Sequence, residues 1–216
     1  MNNSQPTSRG PPFVNAPNFT GAIEEVWVNG QTGEPTYRVI GGGKPAGLCG
    51  SGLISLLAEL FITGVIDRSG KLATTTPRKG AKTQREELGD FASLREARER
   101  VRDGAHGAEY VVAWADETAT GQDIVLTKVD IDNLLRAKAA IYAGYTVLCQ
   151  SVGVDPADVE QVLIGGAFGQ YINIEKAIQI GLLPDLPWER FQFLGNTSAT
   201  GAYYALLSRT MRTQVT

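Results

Sequence analysis

Metal-binding side chains are scarce in this sequence of 216 residues, which contains two cysteines, Cys49 and Cys149, and one histidine, His106. A structural zinc site uses four thiolate or imidazole ligands, and an iron–sulfur cluster commonly uses four thiolates. The two cysteines lie far apart in the sequence, and neither belongs to a Cys-x-x-Cys pair. The chain alone therefore lacks the ligands for either kind of site, and we expect two free thiols and no metal site.

Long apolar segments and an excess of positive charge are also absent. The longest apolar run, residues 53–65, is interrupted by Ser55, Glu59 and Thr63 and is shorter than the roughly 20 residues that span a bilayer. The net charge of −3 and the pI near 5.3 do not indicate the basic surface of a nucleic-acid-binding protein. The first residues contain no apolar signal segment. We therefore predict a cytoplasmic protein with no nucleic-acid partner and no membrane partner.

Familiar catalytic motifs are missing as well. The sequence contains no Ser/His/Asp arrangement, no His-Glu-x-x-His motif and no phosphate-binding loop of the Gly-x-x-x-x-Gly-Lys-Ser/Thr type. A hydrophobic content of 43% with 20% charged residues is nevertheless typical of a globular protein. We therefore predict a folded domain and assign no catalytic residue.

Alternating strand and helix patterns predict an α/β fold. Residues 1–20, rich in Asn, Ser, Pro and Gly, are predicted to be a flexible lead-in to a domain over residues 21–216. Two strand-like runs, 22–28 and 36–40, flank Asn-Gly and Thr-Gly pairs that favour a β-hairpin. Residues 73–108 are predicted to form a charged surface excursion that includes a solvated helix over 91–102.

A long helix is predicted to begin at Thr127-Lys128-Val129-Asp130 and to end at Gly153, with the Thr127 hydroxyl accepting from the Asp130 amide. Its apolar residues form a stripe that should pack on a core: Ile131, Leu134, Leu135, Tyr142, Tyr145, Cys149 and Val152. The last third of the chain then alternates strands over 159–164 and 191–194 with helices over 174–180 and 198–207.

Two glycine turns follow the last two predicted strands. They comprise Gly165, Gly166, Ala167 and Phe168 after the first strand, and Gly195 and Asn196 after the second. Glycine leaves the backbone uncovered, so that a flat ring or a phosphate can approach it, and the start of the following helix adds partial positive charge. Alternatively, the glycines only relieve strain in tight turns, and Asn196, Thr197 or Ser198 caps the last helix.

Two further features could bind an anion. Lys138 lies within the apolar stripe of the long helix, so its ammonium group must extend to solvent, meet a carboxylate or face a cleft that holds a phosphate. Cys49, Gly50, Ser51 and Gly52 precede a helix, and their amides could form an anion nest or an interface. A simple glycine-rich helix entry would explain the second feature equally well.

Four blocks of the sequence, in this order, resemble the C-terminal ATPase domain of the reductive activators of corrinoid proteins. The blocks are GGGKPAGLCGSGLISLLAELFITGVIDRSG, DIDNLLRAKAAIYAG, VLIGGAFGQYINIEKAIQIGLLP and FLGNTSATGAYYALLS. That family belongs to the ASKHA superfamily, with actin, sugar kinases and heat-shock chaperones. The resemblance implies a ribonuclease-H-like α/β half-domain with a β-hairpin and a charged excursion.

The resemblance also implies a task. In this family, ATP hydrolysis drives electron delivery from an N-terminal [2Fe–2S] ferredoxin domain to an inactive cob(II)alamin on a partner corrinoid protein or methyltransferase. Carried onto this sequence, the family's nucleotide-binding positions fall on Gly165, Gly166, Ala167, Phe168, Lys138, Gly195 and Asn196. The role of the Cys49–Gly52 block is not implied by the resemblance.

The sequence departs from the family pattern in two respects. It lacks the ferredoxin cysteines, and it lacks the Asp-x-Gly-Thr hairpins with which ASKHA ATPases hold phosphates and Mg²⁺. We therefore expect the second half of an ATPase domain, inactive as an isolated ATPase, whose partners include the ferredoxin domain and the other ATPase lobe. A homodimer remains open, and the alternative function is a non-catalytic ASKHA-like binding or scaffold module.

Overall fold

The computed structural model describes residues 20–73, 100–105, 107–166 and 171–215. The chain divides into two compact units, Met1–Ala137 and Lys138–Thr216, and the division falls within a single helix. The first unit contains the β-hairpin and most of the buried apolar residues. The second unit contains the two glycine turns.

The first sheet of the first unit has the strand order β2-β1-β3. Strands β1 (Ala22–Val28) and β2 (Pro35–Val39) form the predicted antiparallel hairpin, and β3 (Gly47–Leu48) pairs with β1 in parallel. In the turn, Asn29 Oδ1 accepts hydrogen bonds from the backbone N–H groups of Gln31 and Thr32. The hairpin predicted from the Asn-Gly and Thr-Gly pairs is therefore confirmed.

Helix α1 (Gly50–Ile62) packs against β1 at very short range. A Cβ atom on Gly52 would lie 2.2 Å from the carbonyl oxygen of Ile23, so only glycine fits at this crossing. The Ser55 hydroxyl donates to the Val26 carbonyl oxygen at 2.8 Å and accepts from the Val26 N–H at 2.9 Å. Helix and strand are thus joined by polar contacts within a core of buried apolar side chains that includes Ile23, Val26, Leu56, Leu57 and Leu60.

The second sheet of the first unit has the order β4-β5-β6, all antiparallel: β4 (Val101–Gly104), β5 (Gly107–Ala113) and β6 (Ile124–Thr127). Arg100, buried beside it, donates to Glu34 Oε2 at 2.5 and 2.9 Å and to the carbonyl oxygens of Val111 and Val112. The Tyr110 hydroxyl donates to the Gly33 carbonyl oxygen at 2.8 Å. These contacts attach the second sheet to the β1–β2 hairpin.

The predicted solvated helix over 91–102 is wrong at its C-terminal end. Arg100 is a buried turn residue, and Val101 begins strand β4. The physical reason is an ion pair. The carboxylate of Glu34, in the turn between β1 and β2, neutralises the Arg100 guanidinium and so permits the burial of Arg100. The rest of that predicted helix, and most of the excursion assigned to residues 73–108, lie outside the described residues.

Helix α2 (Lys128–Val152) begins with the predicted cap. The Thr127 hydroxyl accepts from the Asp130 N–H at 3.2 Å, and Asp130 Oδ2 accepts from the Thr127 N–H and hydroxyl at 3.0 and 2.6 Å. The apolar stripe is only partly confirmed. Ile131 and Cys149 are buried, whereas Tyr142 and Val152 are 52% and 64% exposed.

The second unit contains the parallel strand pair β7 (Val162–Gly165) and β8 (Phe191–Gly195). The described part of this unit also contains the α-helices α3 (Ile174–Gln179), α4 (Thr197–Leu207) and α5 (Arg209–Val215). Arg190 fixes the entry to β7, because its Nη1 donates to the carbonyl oxygens of Ala157 and Val159, each at 2.7 Å. The strand–turn–helix order predicted for this part of the chain is confirmed, and α5 is an addition that the pattern did not indicate.

The close crossing of α1 and β1 generates a stability prediction. Gly52→Ala places a methyl group against the Ile23 carbonyl oxygen, and we expect it to lower the free energy of unfolding by about 3 kcal/mol or more. Gly144→Ala is the matched control, because Gly144 also lies in a helix but its added Cβ would meet no atom within 4 Å. The control should raise stability by up to about 1 kcal/mol. Urea denaturation of both variants checks the pair, and a neutral Gly52→Ala would contradict the crossing.

The buried Tyr110 generates a pH prediction. Burial raises the pKa of its phenol above the ordinary value near 10, so at alkaline pH the unfolded chain loses this proton first. The stabilising contribution of Tyr110 is therefore complete below about pH 10 and declines as the pH rises further. Tyr110→Phe should cost about 1 kcal/mol at pH 8, through loss of the bond to Gly33, and this deficit should shrink towards pH 11.

Urea denaturation of wild type and Tyr110→Phe between pH 8 and 11 measures this difference. Tyr203→Phe, at a side chain that is 59% exposed, is the control and should match wild type throughout. A deficit for Tyr110→Phe that stays constant or widens with pH would show that the Tyr110 hydroxyl is not buried in solution.

Candidate functional site: two glycine turns at the ends of parallel strands

The pairing of β7 with β8 brings the two glycine turns together. Gly165 and Gly195 are register partners, and the Gly166 N–H donates to the Gly195 carbonyl oxygen at 2.6 Å. Because the strands are parallel, both turns lie at the carboxyl ends of their strands, where ligands bind in open α/β sheets. Of the sequence-predicted site residues, Gly165, Gly166, Gly195 and Asn196 therefore form one cluster.

Gly166 offers an open backbone surface. Its φ of +106° lies in the region that favours glycine, and a Cβ built on it would meet no atom of the described residues within 4 Å. Its N–H is already bonded to Gly195, so this amide is not free for a phosphate. What remains accessible is the Cα face, which suits the flat surface of a ring. Ala167 and Phe168, the other two predicted residues of this turn, lie outside the described residues.

The second turn leads directly into α4. Asn196 is the N-cap of that helix, and its Oδ1 accepts from the Ala199 N–H at 3.0 Å, as the capping alternative predicted. Thr197, which the sequence suggested only as a capping candidate, lies against the first turn: a Cβ on Gly165 would come within 2.8 Å of its Oγ1. Glycine at 165 thus permits the close approach of the α4 N-terminus.

Lys138 contacts a different part of the second unit. Its Nζ donates to the Ile180 carbonyl oxygen at 2.5 Å, at the C-terminal end of α3, and lies near Gly181. A cation is favourable there, because the last carbonyl groups of a helix carry partial negative charge. A cavity of about 520 Å³ adjoins Lys138 and is also lined by Tyr142, Leu183 and Asp185. Among the contacts of the described residues, none joins Lys138 to the glycine turns.

The Cys49–Gly52 block has a packing role. Cys49 is the N-cap of α1, and its Sγ lies 3.2 Å from the Ile23 carbonyl oxygen and 3.1 Å from the Ser51 hydroxyl oxygen. Gly52 permits the short distance between helix and strand. These contacts account for the glycine-rich helix entry, and the anion nest or interface at these residues remains a prediction.

The described residues contain no group of three or more His, Cys, Asp or Glu side chains placed to hold a metal ion. No helix among them has the length and apolar character required to cross a bilayer.

The comparisons with known proteins agree on one family. The family model described as the C-terminal domain of RACo, the ASKHA domain, matches residues 17–92 and 86–216. A solved structure entitled reductive activator for corrinoid, iron-sulfur protein is 42% identical, with a TM-score of 0.76 over 92% of this chain and 28% of its own. These matches confirm the predicted actin-like α/β fold class.

Two curated relatives carry similar names. Corrinoid activation enzyme RamQ of Eubacterium limosum is 35% identical over 190 residues, which are 88% of this chain and 30% of the relative. The [Co(II) methylated amine-specific corrinoid protein] reductase of Methanosarcina barkeri is 32% identical over 89 residues, 41% of this chain and 16% of the relative. The chain therefore spans less than a third of the length of these relatives.

The position of Lys138 generates a prediction that separates its two roles. If the Ile180 contact is its main role, Lys138→Met should lower the free energy of unfolding by about 1.5–3 kcal/mol, since a charged hydrogen bond is lost. Lys128→Met, which breaks a part-buried i,i+4 ion pair with Asp132 on the same helix, is the control and should cost less than about 1 kcal/mol. Loss of nucleotide binding at unchanged stability would instead assign Lys138 to the nucleotide. Thermal melting and nucleotide titration of the variants distinguish the two.

Proposed function

Since this chain belongs to the family of the C-terminal ASKHA domain of RACo, we propose that it is the C-terminal part of an ATP-dependent reductive activator of a corrinoid methyl-transfer protein. In this role it binds an adenine nucleotide at its two glycine turns. The observation that carries the proposal is the hydrogen bond from Gly166 to Gly195, which holds both turns at one end of a parallel strand pair.

The shape of the first turn fits a nucleoside better than a phosphate. The open Cα face of Gly166 can receive a planar ring, while its N–H is already bonded to Gly195. The N-cap contact of Asn196 keeps the start of α4 in place beside Gly165. We therefore assign the adenosine moiety to these turns and leave the phosphates to groups outside them. ATP, when bound, supplies the free energy of phosphoanhydride hydrolysis.

The cofactors of the complete activator do not fit this chain alone. Two cysteines cannot provide the four thiolates that a [2Fe–2S] cluster commonly requires, so we place the cluster in a separate ferredoxin domain. The described residues likewise contain no acidic cluster for Mg²⁺. In this proposal the chain positions the nucleoside, and a second ATPase lobe holds the phosphates and the metal. The partner that receives electrons is a corrinoid protein or methyltransferase.

A second function, that of a binding or scaffold module without nucleotide, is favoured by one set of contacts. The polar groups of the turns are bonded within the protein: the Gly166 N–H to Gly195, the Asn196 side chain to Ala199, and Lys138 to Ile180. In this second function, the glycines only allow the backbone segments to pack closely. The two functions make opposite predictions for ligand binding.

Gly166→Val is the variant that tests the nucleotide site. Valine at a φ of +106° costs roughly 1–2 kcal/mol of stability, and its side chain would fill the space assigned to the nucleoside. Gly107→Val is the matched control, because Gly107 has a φ of +99°, is similarly open, and lies in the β4–β5 hairpin of the first unit. We expect both variants to lose similar stability, and Gly166→Val alone to weaken nucleotide binding at least about tenfold.

The measurement pairs thermal melting with titration of a fluorescent ATP analogue up to millimolar concentration. That range is needed because the site as described lacks groups for the phosphates. If wild type binds no analogue there, or if both variants bind it equally well, the adenosine assignment is wrong and the scaffold function takes its place.

A further inference from the structure

The second unit contains a groove of about 560 Å³ at the amino ends of β7 and β8. Residues 155–157, which precede β7, and residues 184–187 and Arg190, which precede β8, line it together with two tyrosines of α2. The glycine turns lie at the opposite, carboxyl ends of the same strands. A ligand in this groove would therefore not compete with a nucleotide at the turns.

Tyrosine and proline side chains form much of the groove wall. We define the proline groove by the lining residues Tyr142, Tyr145, Pro156, Pro184 and Pro187. They include all three prolines of residues 138–216. The Tyr145 hydroxyl donates to the Pro156 carbonyl oxygen at 3.3 Å, whereas Tyr142 is 52% exposed. Rigid rings supply contact area at a low cost in conformational entropy, so this wall suits the binding of another polypeptide.

Two carboxylates lie in the same groove. Asp155 and Asp185 line it and are exposed, and within the described part of the chain neither forms an ion pair. Asp155 Oδ1 accepts one hydrogen bond, from the Ala157 N–H at 2.8 Å. Arg190, which also lines the groove, donates from its Nη1 to backbone carbonyl oxygens of the protein. Both carboxylates are therefore accessible to a cationic side chain of a partner.

We infer that the proline groove binds a proline-rich segment of another protein, with an arginine or lysine beside its prolines. Proline-rich segments hold a preformed polyproline II helix without internal hydrogen bonds, and they dock in grooves lined by aromatic side chains. A charge-assisted hydrogen bond to Asp155 or Asp185 would fix the cationic residue. The same carboxylates disfavour an acidic partner. The inference rests on the geometry of residues 138–216 and not on nucleotide binding.

The test is isothermal titration of this chain with two synthetic peptides, Arg-Pro-Leu-Pro-Pro-Leu-Pro and its reverse, Pro-Leu-Pro-Pro-Leu-Pro-Arg. Both are needed because a polyproline II helix can lie in a groove in either direction. At least one should bind with a Kd below about 1 mM. Replacing its prolines by alanine should abolish binding, because the conformation is then no longer preformed.

Tyr142→Ala tests the groove wall and should weaken binding at least about tenfold, because an aromatic contact is lost. The matched control is Tyr203→Ala on α4, a helix that contains no charged residue and no buried residue. Tyr203 is 59% exposed, so its loss should leave peptide binding unchanged. Both variants should melt at the wild-type temperature, since both side chains are largely exposed.

Asp185→Arg tests the recognition of charge. It should weaken binding of the arginine peptide and improve binding of the same peptide with glutamate in place of arginine. Because one affinity falls while the other rises, this exchange cannot result from a general loss of folding.

Four results would overturn the inference: no binding of either peptide, equal binding of the alanine peptide, equal binding by Tyr142→Ala, or an unchanged charge preference of Asp185→Arg. A wild-type dimer in sedimentation that Tyr142→Ala converts to a monomer would also overturn it, because a second copy would then be the occupant. Gly166→Val should bind the peptide normally, so failure of the nucleotide site and failure of the proline groove are distinguishable.

Discussion

The hydrogen bond between the Gly166 N–H and the Gly195 carbonyl oxygen is the contact on which the candidate site depends. It extends the parallel ladder of β7 and β8 beyond the last paired residues and fixes the two turns against each other. Because it engages the Gly166 amide, that amide is not free for a phosphate.

The first unit depends on a different kind of contact. Arg100 and Tyr110 reach the β1–β2 hairpin through Glu34 and Gly33, and the guanidinium also lies 5.6 Å from the ring centroid of Trp114. A charged group is buried here because its donors meet a carboxylate and two backbone carbonyl oxygens. The second sheet is therefore held by polar contacts as much as by the apolar residues of its strands.

Much of the fold could be predicted from the sequence, because glycine, proline and capping residues mark the element ends. The Thr127–Asp130 cap and the hairpin turn at Asn29 were predictable, since each involves residues within four positions of one another. Arg100 was not, because its partner Glu34 lies 66 residues away and a charged local sequence favours a solvated helix. The role of Lys138 could not be decided from the sequence for the same reason, because its partner Ile180 lies 42 residues away. At the site, the glycines were predicted from their pattern, whereas the position of Thr197 beside Gly165 depends on the pairing of the two strands.

The uncharged surface of α4 has a consequence for the colloidal behaviour of the chain. A net charge of −3 on 216 residues gives little repulsion between molecules, and the exposed tyrosine and leucine side chains supply attraction at short range. Excluded salts such as sulfate strengthen apolar contacts, whereas raised temperature and crowding increase encounters between such surfaces. The chain is therefore expected to salt out at a low concentration of such salts.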